Sequence, residues 1–103
     1  MDKFLFVLRV PQDYEPGVQS NIEALNAWFQ SIGPGVVDRG RMVVEASSLG
    51  ETSDRTRVGG YLFVNTEDRD AALAVAKECP FVLLGGGIEV GLVLDGPPPS
   101  LRG

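Results

Sequence analysis

The stretch Val58-Gly59-Gly60-Tyr61-Leu62-Phe63-Val64-Asn65 is the strongest structural signal in this sequence. It is a short apolar run rich in aromatic and branched residues, a pattern that predicts a β-strand. Thr66 then caps a predicted helix, and the acidic residues behind it suit the positive end of the helix dipole. Pro80 stops that helix, and the glycine turn at residues 85–87 leads into an alternating strand from Ile88. The second half of the chain therefore runs strand, helix, turn, strand.

The first half of the chain repeats this order. Residues 4–8 are apolar at every position and Pro11 ends the run, which predicts a strand covered on both faces. After a loop, a helix is predicted with Ser20 or Asn21 as its cap and Gly33 at its end. Its apolar stripe has helical spacing and consists of Ile22, Leu25, Phe29 and Ile32.

Glycines mark two irregular places in the predicted strands. Residues 36–37 and 41–46 predict one bent strand or two short ones, with Gly40 as a bulge between them. Gly59-Gly60 predicts a bulge or a close backbone approach at the start of the next strand.

The resulting order is β-α-β-β-α-β. With right-handed crossovers, it predicts an α+β fold: a ferredoxin-like sandwich with a four-stranded antiparallel sheet and two helices on one face. The first and third strands are predicted to be central, since both lack polar alternation. Residues 1–96 are predicted to form a single domain, and the proline-rich residues 97–103 a disordered C-terminal tail.

A sheet with helices on one face leaves its other face uncovered. If the helices take the aromatic side of the central strands, the uncovered side chains are Leu5, Val7, Leu62 and Val64. Burying each stabilises by about 1.5–3 kcal/mol, which favours a homodimer that packs sheet against sheet. The alternative is that residues 81–84 or the tail fold over this face.

Composition excludes several classes of function. The net charge of −5 argues against nucleic acid as a partner, since phosphate contacts need clustered Lys and Arg. Neither a signal peptide nor a membrane-spanning run is apparent, so we expect a soluble cytoplasmic protein. Without histidine, and with Cys79 as the single cysteine, neither a metal site nor another cofactor is expected.

The candidate chemical groups are charges within apolar strands. Arg9 is predicted to bind a substrate carboxylate, while Glu45 or Glu89 moves a proton. The alternative is a structural Arg–Glu pair at a strand end. Tyr14 and Trp28 are candidate ligand-binding residues, with an exposed loop tyrosine and a core tryptophan as the alternatives.

Several short segments resemble the YCII-related family, in particular its DGPF-domain branch. The similarity covers nearly the whole chain before the proline tail, through Lys3-Phe4-Leu5-Phe6-Val7-Leu8-Arg9, Gly59-Gly60-Tyr61, Asp68-Arg69-Asp70-Ala71-Ala72, Ala76-Lys77-Glu78-Cys79-Pro80 and Gly86-Gly87-Ile88-Glu89-Val90. The resemblance implies a dimeric α+β barrel, in which two ferredoxin-like sheets pack face to face.

The resemblance implies little about the function of this chain. Some family members carry a histidine–aspartate pair proposed as catalytic, and a relative is a dehydrochlorinase that acts on a chlorinated aromatic. This chain has no histidine, and Thr52-Ser53-Asp54-Arg55-Thr56 stands where the Asp-Gly-Pro-Phe signature belongs. Some proteins of the DGPF branch are linked to transcription-initiation factors.

Three hypotheses follow. The first is a YCII-like dimer that binds a small organic or aromatic acid in a pocket near the sheet–sheet interface, without histidine-based chemistry. The second is a lyase or isomerase on a small organic acid that uses Arg9 with Glu45 or Glu89. The third is a regulatory protein-interaction module. The sequence leaves open whether the protein is an enzyme.

Overall fold

A computed structural model describes residues 1–52 and 54–94 of the 103-residue chain. In chain order its elements are strand β1 (Asp2–Pro11), helix α1 (Gln19–Ile32), a 3₁₀ turn (Gly33–Gly35), strand β2 (Val36–Asp38), strand β3 (Thr56–Thr66), helix α2 (Arg69–Ala76), the one-turn helix α3 (Pro80–Leu83) and strand β4 (Gly87–Leu92). The predicted βαββαβ order is confirmed, with α3 added to the second crossover. The predicted tail, residues 97–103, lies outside the described residues.

The strands form one antiparallel four-stranded sheet in the order β2-β3-β1-β4. The first and third strands are therefore central, as their continuous apolar sequences predict. They pair along their whole length, from Asp2 opposite Thr66 to Pro11 opposite Thr56. The α+β sandwich is confirmed.

The core lies between the helices and one face of this sheet, which we call the helix-side face. The indole of Trp28 on α1 stacks on Phe6 of β1, with ring centroids 6.2 Å apart, and its Nε1 donates to the Val75 carbonyl on α2 at 3.1 Å. These two contacts join both helices to the sheet. The buried apolar residues are Phe4, Phe6, Leu8, Val10, Trp28, Leu62, Val64, Ala72, Ala76, Cys79 and Phe81.

The opposite face, which we call the open face, differs from the predicted one in its second strand. Leu5 lies opposite Phe63, and Val7 opposite Tyr61, while Leu62 and Val64 are fully buried on the helix side. Directly opposed residues share a face, so the open face carries Tyr61 and Phe63 in place of Leu62 and Val64. The prediction was wrong because both faces of β3 are apolar, and alternation alone then does not fix the phase of one strand against another.

Both helix starts differ from the predicted ones. Helix α1 begins at Gln19 after Val18, and Asn21, a predicted cap, instead donates from Nδ2 to the Glu15 carbonyl at 2.9 Å. Helix α2 is capped by Asp68, whose carboxylate accepts from the Ala71 amide at 2.8 Å. Thr66 ends β3, where it pairs with Asp2, so strand pairing excludes it from the cap position.

Irregularities are present at both predicted glycine positions, but the strand predicted over residues 41–46 is not formed, and only Met42 makes an isolated bridge, to Gly60. Beyond β2, Gly40 has φ +65°, and the chain rejoins β3 where the Val43 amide donates to the Gly59 carbonyl at 3.0 Å. A second irregularity shifts the β1–β3 register between Leu8 and Arg9, and Gly59 is the extra residue. A Cβ on Gly59 would lie 2.7 Å from Val10 Cγ1, so the bulge needs a glycine.

Helix α3 belongs to the helix side. Phe81 is buried there, while Leu83 remains 85% exposed. Residues 81–84 therefore do not cover the open face, which removes one of the two alternatives to a dimer.

Candidate ligand-binding site

A cavity of about 380 Å³ lies on the helix side of the sheet, beneath α1. Its floor is Leu8 with Gly59 and Gly60, and its far wall is the segment Arg39-Gly40-Arg41-Met42, which we call the strap. Its apolar lining residues are Leu8, Pro16, Ile22, Leu25, Phe29, Met42 and Phe81. The other lining residues with polar groups are Tyr14, Asn21, Asn26, Arg39, Arg41 and Tyr61.

The cavity exists because β3 carries no side chains at this point. Gly60 lies opposite Leu8 on one side and bridges to Met42 on the other, all on the helix-side face. Where β3 next presents side chains to the helices, Leu62 and Val64 fill the space and are fully buried. The missing side chains leave a space between β3 and α1, next to a close-packed core.

The strap is held in place at its glycine. The Gly40 amide donates to the Asp38 carboxylate at 2.8 Å, and the Tyr61 amide donates to the Arg41 carbonyl at 3.3 Å. A Cβ on Gly40 would overlap the Tyr61 carbonyl oxygen, at 1.8 Å. Only glycine therefore lets the strap lie this close to β3.

The side chain of Arg39 reaches from the strap to α1. Its guanidinium carbon lies 4.6 Å from the centroid of the Phe29 ring, and one of its nitrogens donates to Asn26 Oδ1 at 3.3 Å. Asn26 and Phe29 are three residues apart, so they share one face of α1. Arg39 thus stacks and hydrogen-bonds across the cavity mouth.

Tyr14 and Phe81 form the aromatic end of the cavity. Their rings meet edge to face at 5.1 Å, and Arg57 donates to the Tyr14 carbonyl at 3.0 Å. Burial raises the pKa of the Tyr14 phenol above its ordinary value, with the Cys79 thiol acting in the same direction and Arg57 opposing both. The phenol therefore stays protonated at neutral pH and is available as a hydrogen-bond donor.

The predicted site residues are not brought together. Tyr14 lines the cavity, whereas Trp28 is buried in the core and does not line it. Arg9 follows Leu5 and Val7 on the open face, and donates from Nε to the Thr56 hydroxyl at 2.9 Å and from its terminal nitrogen to the Thr56 carbonyl at 3.1 Å.

The two candidate carboxylates are also separated. Glu89 is exposed on β4, opposite Val7 of the open face. Glu45 is exposed in the loop after the strap, with φ +55°. The guanidinium of Arg9 is held toward β3, on the other side of β1 from Glu89.

Two further features bear on chemistry. Cys79 is fully buried, and burial raises the pKa of its thiol despite opposing backbone hydrogen bonds at Phe81 and Val82. A buried neutral thiol is a poor nucleophile.

Among residues 1–52 and 54–94, no group of three acidic or cysteine side chains is placed to hold a metal ion. No helix in that part of the chain is long and apolar enough to cross a membrane.

Sequence reasoning missed Asn26 and Arg39. Asn26 could have been found from its spacing of four to Ile22 and three to Phe29, which places it on the apolar stripe of α1. Arg39 gives no such signal, because its position depends on the path that Gly40 allows.

Comparisons with known proteins support the fold. No protein-family model matches the chain, and no curated protein sequence is significantly similar to it. Among solved structures, 5-chloro-2-hydroxyhydroquinone dehydrochlorinase (TftG) from Burkholderia phenoliruptrix AC1100, in complex with 2,5-dihydroxybenzoquinone, is similar with a TM-score of 0.61. The match has 20% sequence identity and covers 91% of this chain and 95% of that chain. Similarity at this identity shows a shared fold, which agrees with the predicted ferredoxin-like α+β fold.

Proposed function

We propose that this protein binds a small aromatic molecule in the helix-side cavity. The observation that carries the proposal is an aromatic-walled space above two glycines of an otherwise close-packed sheet. Phe29 and Phe81 offer ring faces and edges, and the Tyr14 hydroxyl offers a donor for a ligand oxygen.

The size of the cavity supports a small ligand. Its volume of about 380 Å³ lies near the lower end of the roughly 300–1,000 Å³ typical of ligand sites. Its apolar walls and few polar groups are the usual composition of such sites. The structural neighbour, determined with a dihydroxybenzoquinone, provides an example of this fold binding a single-ring ligand.

The site differs from the pocket predicted at the sheet–sheet interface. The cavity is on the opposite side of the sheet, and Arg9 does not line it. The enzyme hypothesis based on Arg9 with Glu45 or Glu89 gains no support, because these side chains lie apart. Arg9 is bound to Thr56 on the β3 side of β1, Glu89 is on β4, and Glu45 is in the loop after the strap.

Calorimetric titration with 2,5-dihydroxybenzoquinone and with phenol tests the proposal. Ile22→Trp fills the cavity from a wall position that is 37% exposed, so the larger ring is accommodated without a core clash. Leu73→Trp is the matched control, since Leu73 is 38% exposed on α2 and does not line this cavity. We expect binding to wild type and Leu73→Trp and at least a tenfold loss in Ile22→Trp. Equal binding by all three proteins, or none by wild type, would contradict the proposal.

We further propose that the protein pairs with a second copy through the open face. Leu5, Val7, Tyr61 and Phe63 form one contiguous half-buried patch at the centre of the sheet. Lys3 and Arg9 border it with positive charge, and Glu89 with negative charge. A patch of this composition supports an isologous interface with an apolar centre and a charged rim.

A further inference from the structure

We propose that Arg39 makes the cavity selective for aromatic carboxylates, with the carboxylate held at the strap and the ring between the aromatic walls. This inference rests on the proposed function and names the chemical class of its ligand. Arg39 acts as a specificity-determining residue, and no chemical step is involved.

The position of Arg39 is the first support. Together with Asn26 and Phe29, it lines both the 380 Å³ cavity and a neighbouring depression of about 460 Å³. These three side chains therefore form the boundary between the two spaces. A group projecting from a ligand ring in the cavity meets the guanidinium at this boundary.

The second support is the geometry of the guanidinium. Its central carbon lies over the Phe29 ring, 4.6 Å from the centroid, and this cation–π contact favours a guanidinium placed at the boundary before a ligand binds. Within the described part of the chain, it donates to the neutral amide oxygen of Asn26 at 3.3 Å, a long bond. A carboxylate is a stronger acceptor and matches the planar fork with two parallel bonds, so it competes favourably with Asn26.

The third support is the charge around the cavity. The whole chain carries a net charge of −5, yet the described residues that line this cavity include Arg39 and Arg41 and no acidic side chain. A cavity with this local sign attracts an anion and repels a cation. Arg41 is directed differently, because its guanidinium donates to the Gly40 carbonyl at 3.4 Å.

Other basic groups are less suitable. Arg9 is on the open face and bound to Thr56, and Arg57 donates to the Tyr14 carbonyl behind the aromatic end. Arg39 alone among these three lines the cavity. The proposal therefore places the carboxylate contact at Arg39, whereas the sequence-based prediction placed it at Arg9.

Benzoate and benzamide, which differ in charge and have the same ring, test this selectivity. Their dissociation constants are measured by calorimetry for wild type, Arg39→Gln, Arg39→Lys and Arg69→Gln. Arg69→Gln is the matched control, because it removes the same charge at an exposed position at the start of α2, away from the cavity. Melting temperatures confirm that each variant is folded.

We expect wild type and Arg69→Gln to bind benzoate about tenfold more tightly than benzamide, the scale of one charge-assisted hydrogen-bonded contact. Arg39→Gln should lose this preference, because its benzoate affinity falls about tenfold more than its benzamide affinity, and Arg39→Lys should recover part of it. A preference that survives in Arg39→Gln, or an equal loss for both ligands, would overturn the assignment of Arg39. If wild type binds benzamide at least as well as benzoate, the carboxylate class is wrong while the proposed aromatic site stands. If wild type binds neither, the proposed function fails with it.

Discussion

The two faces of the sheet are both apolar, but only one of them is covered by helices. On the helix side, Phe6 and Leu62 lie directly opposite each other and are fully buried beneath α1 and α2. On the open side, Leu5 and Phe63 are also directly opposed, but each stays half-buried and is covered by no described element. The packed face contains the proposed ligand cavity, and the unpacked face is the proposed dimer surface.

The cavity on the helix side and the apolar patch on the open side therefore suit different kinds of partner. The gap on the helix side results from glycines at residues 59 and 60 and is walled by side chains of several elements, so its shape is defined by the fold. The patch on the open side has no walls, so it suits a flat partner rather than a small molecule. Substitutions on one face at a time separate the two by experiment.

The largest expected effect is on the packed face. Phe6→Ala removes a fully buried ring that stacks on Trp28, and we expect it to reduce the free energy of unfolding by about 3–5 kcal/mol. The loss should be independent of protein concentration, because this ring does not reach the proposed interface. Urea unfolding measures it, and a loss under about 1 kcal/mol would contradict the assigned core.

The next effect concerns the open face. Phe63→Lys places an ammonium group in the centre of the patch, beside Lys3, whose Nζ lies 5.8 Å from the Phe63 ring centroid. We expect sedimentation to show a wild-type dimer at micromolar concentration and a variant dimer weakened by at least about thirtyfold, the scale of an interface hot spot. A purely monomeric wild type, or a variant that dimerises equally well, would exclude this interface.

A smaller effect is expected at the strap. Gly40→Ala adds a Cβ that would lie 1.8 Å from the Tyr61 carbonyl oxygen, at a residue with φ +65°. We expect a loss of about 1–3 kcal/mol in the free energy of unfolding, with weakened ligand binding because the strap must move. Gly50→Ala is the control, since Gly50 has φ +78° but nothing within 4 Å of the added atom. Equal effects in both variants would mean that backbone strain, and not contact with β3, is responsible.

The smallest effect is a dependence of stability on alkaline pH. Burial raises the pKa values of Tyr14 and Cys79 above their ordinary values of 10.0 and 9.0. As the pH rises, the unfolded chain therefore loses these protons before the folded chain does. The stability contributed by keeping the groups neutral is complete below about pH 9 and is lost as the pH rises through the raised values.

Urea unfolding at pH 8 and pH 10 checks this expectation. Tyr14→Phe keeps the ring contact with Phe81 and removes the titrating group, so its stability should fall less between these pH values than that of wild type. Identical decreases in both proteins would show that the phenol is not shielded in the folded state.

The fold was largely predictable from the sequence because its signals are local. Apolar runs, glycine turns and prolines gave the element order, and the two strands without alternation are indeed central. The phase of β3 was not predictable, since Tyr61-Leu62-Phe63-Val64 is apolar on both faces and its register depends on pairing with β1. The cap of α2 was misplaced for a similar reason, because Thr66 and Asp68 can both cap and pairing with Asp2 decides between them.

The site was less predictable because it depends on distant contacts. Tyr14 was predicted to bind a ligand, and it lines the cavity. Arg9 and Glu89 were predicted site residues because they are charges in apolar strands, and they lie on the other face. The cavity itself follows from the absence of side chains at two glycines and from the path of the strap. Neither feature leaves a motif in the sequence.

The most direct test is methyl NMR during titration with benzoate, because it shows which face of the sheet the ligand touches. The methyl groups of Ile22, Leu25 and Met42 line the cavity, while those of Leu5 and Val7 mark the open face. We expect saturable chemical-shift changes in the first group and unchanged signals in the second. Saturable changes confined to Leu5 and Val7 would contradict the account, because the ligand would then bind to the face assigned to the second subunit.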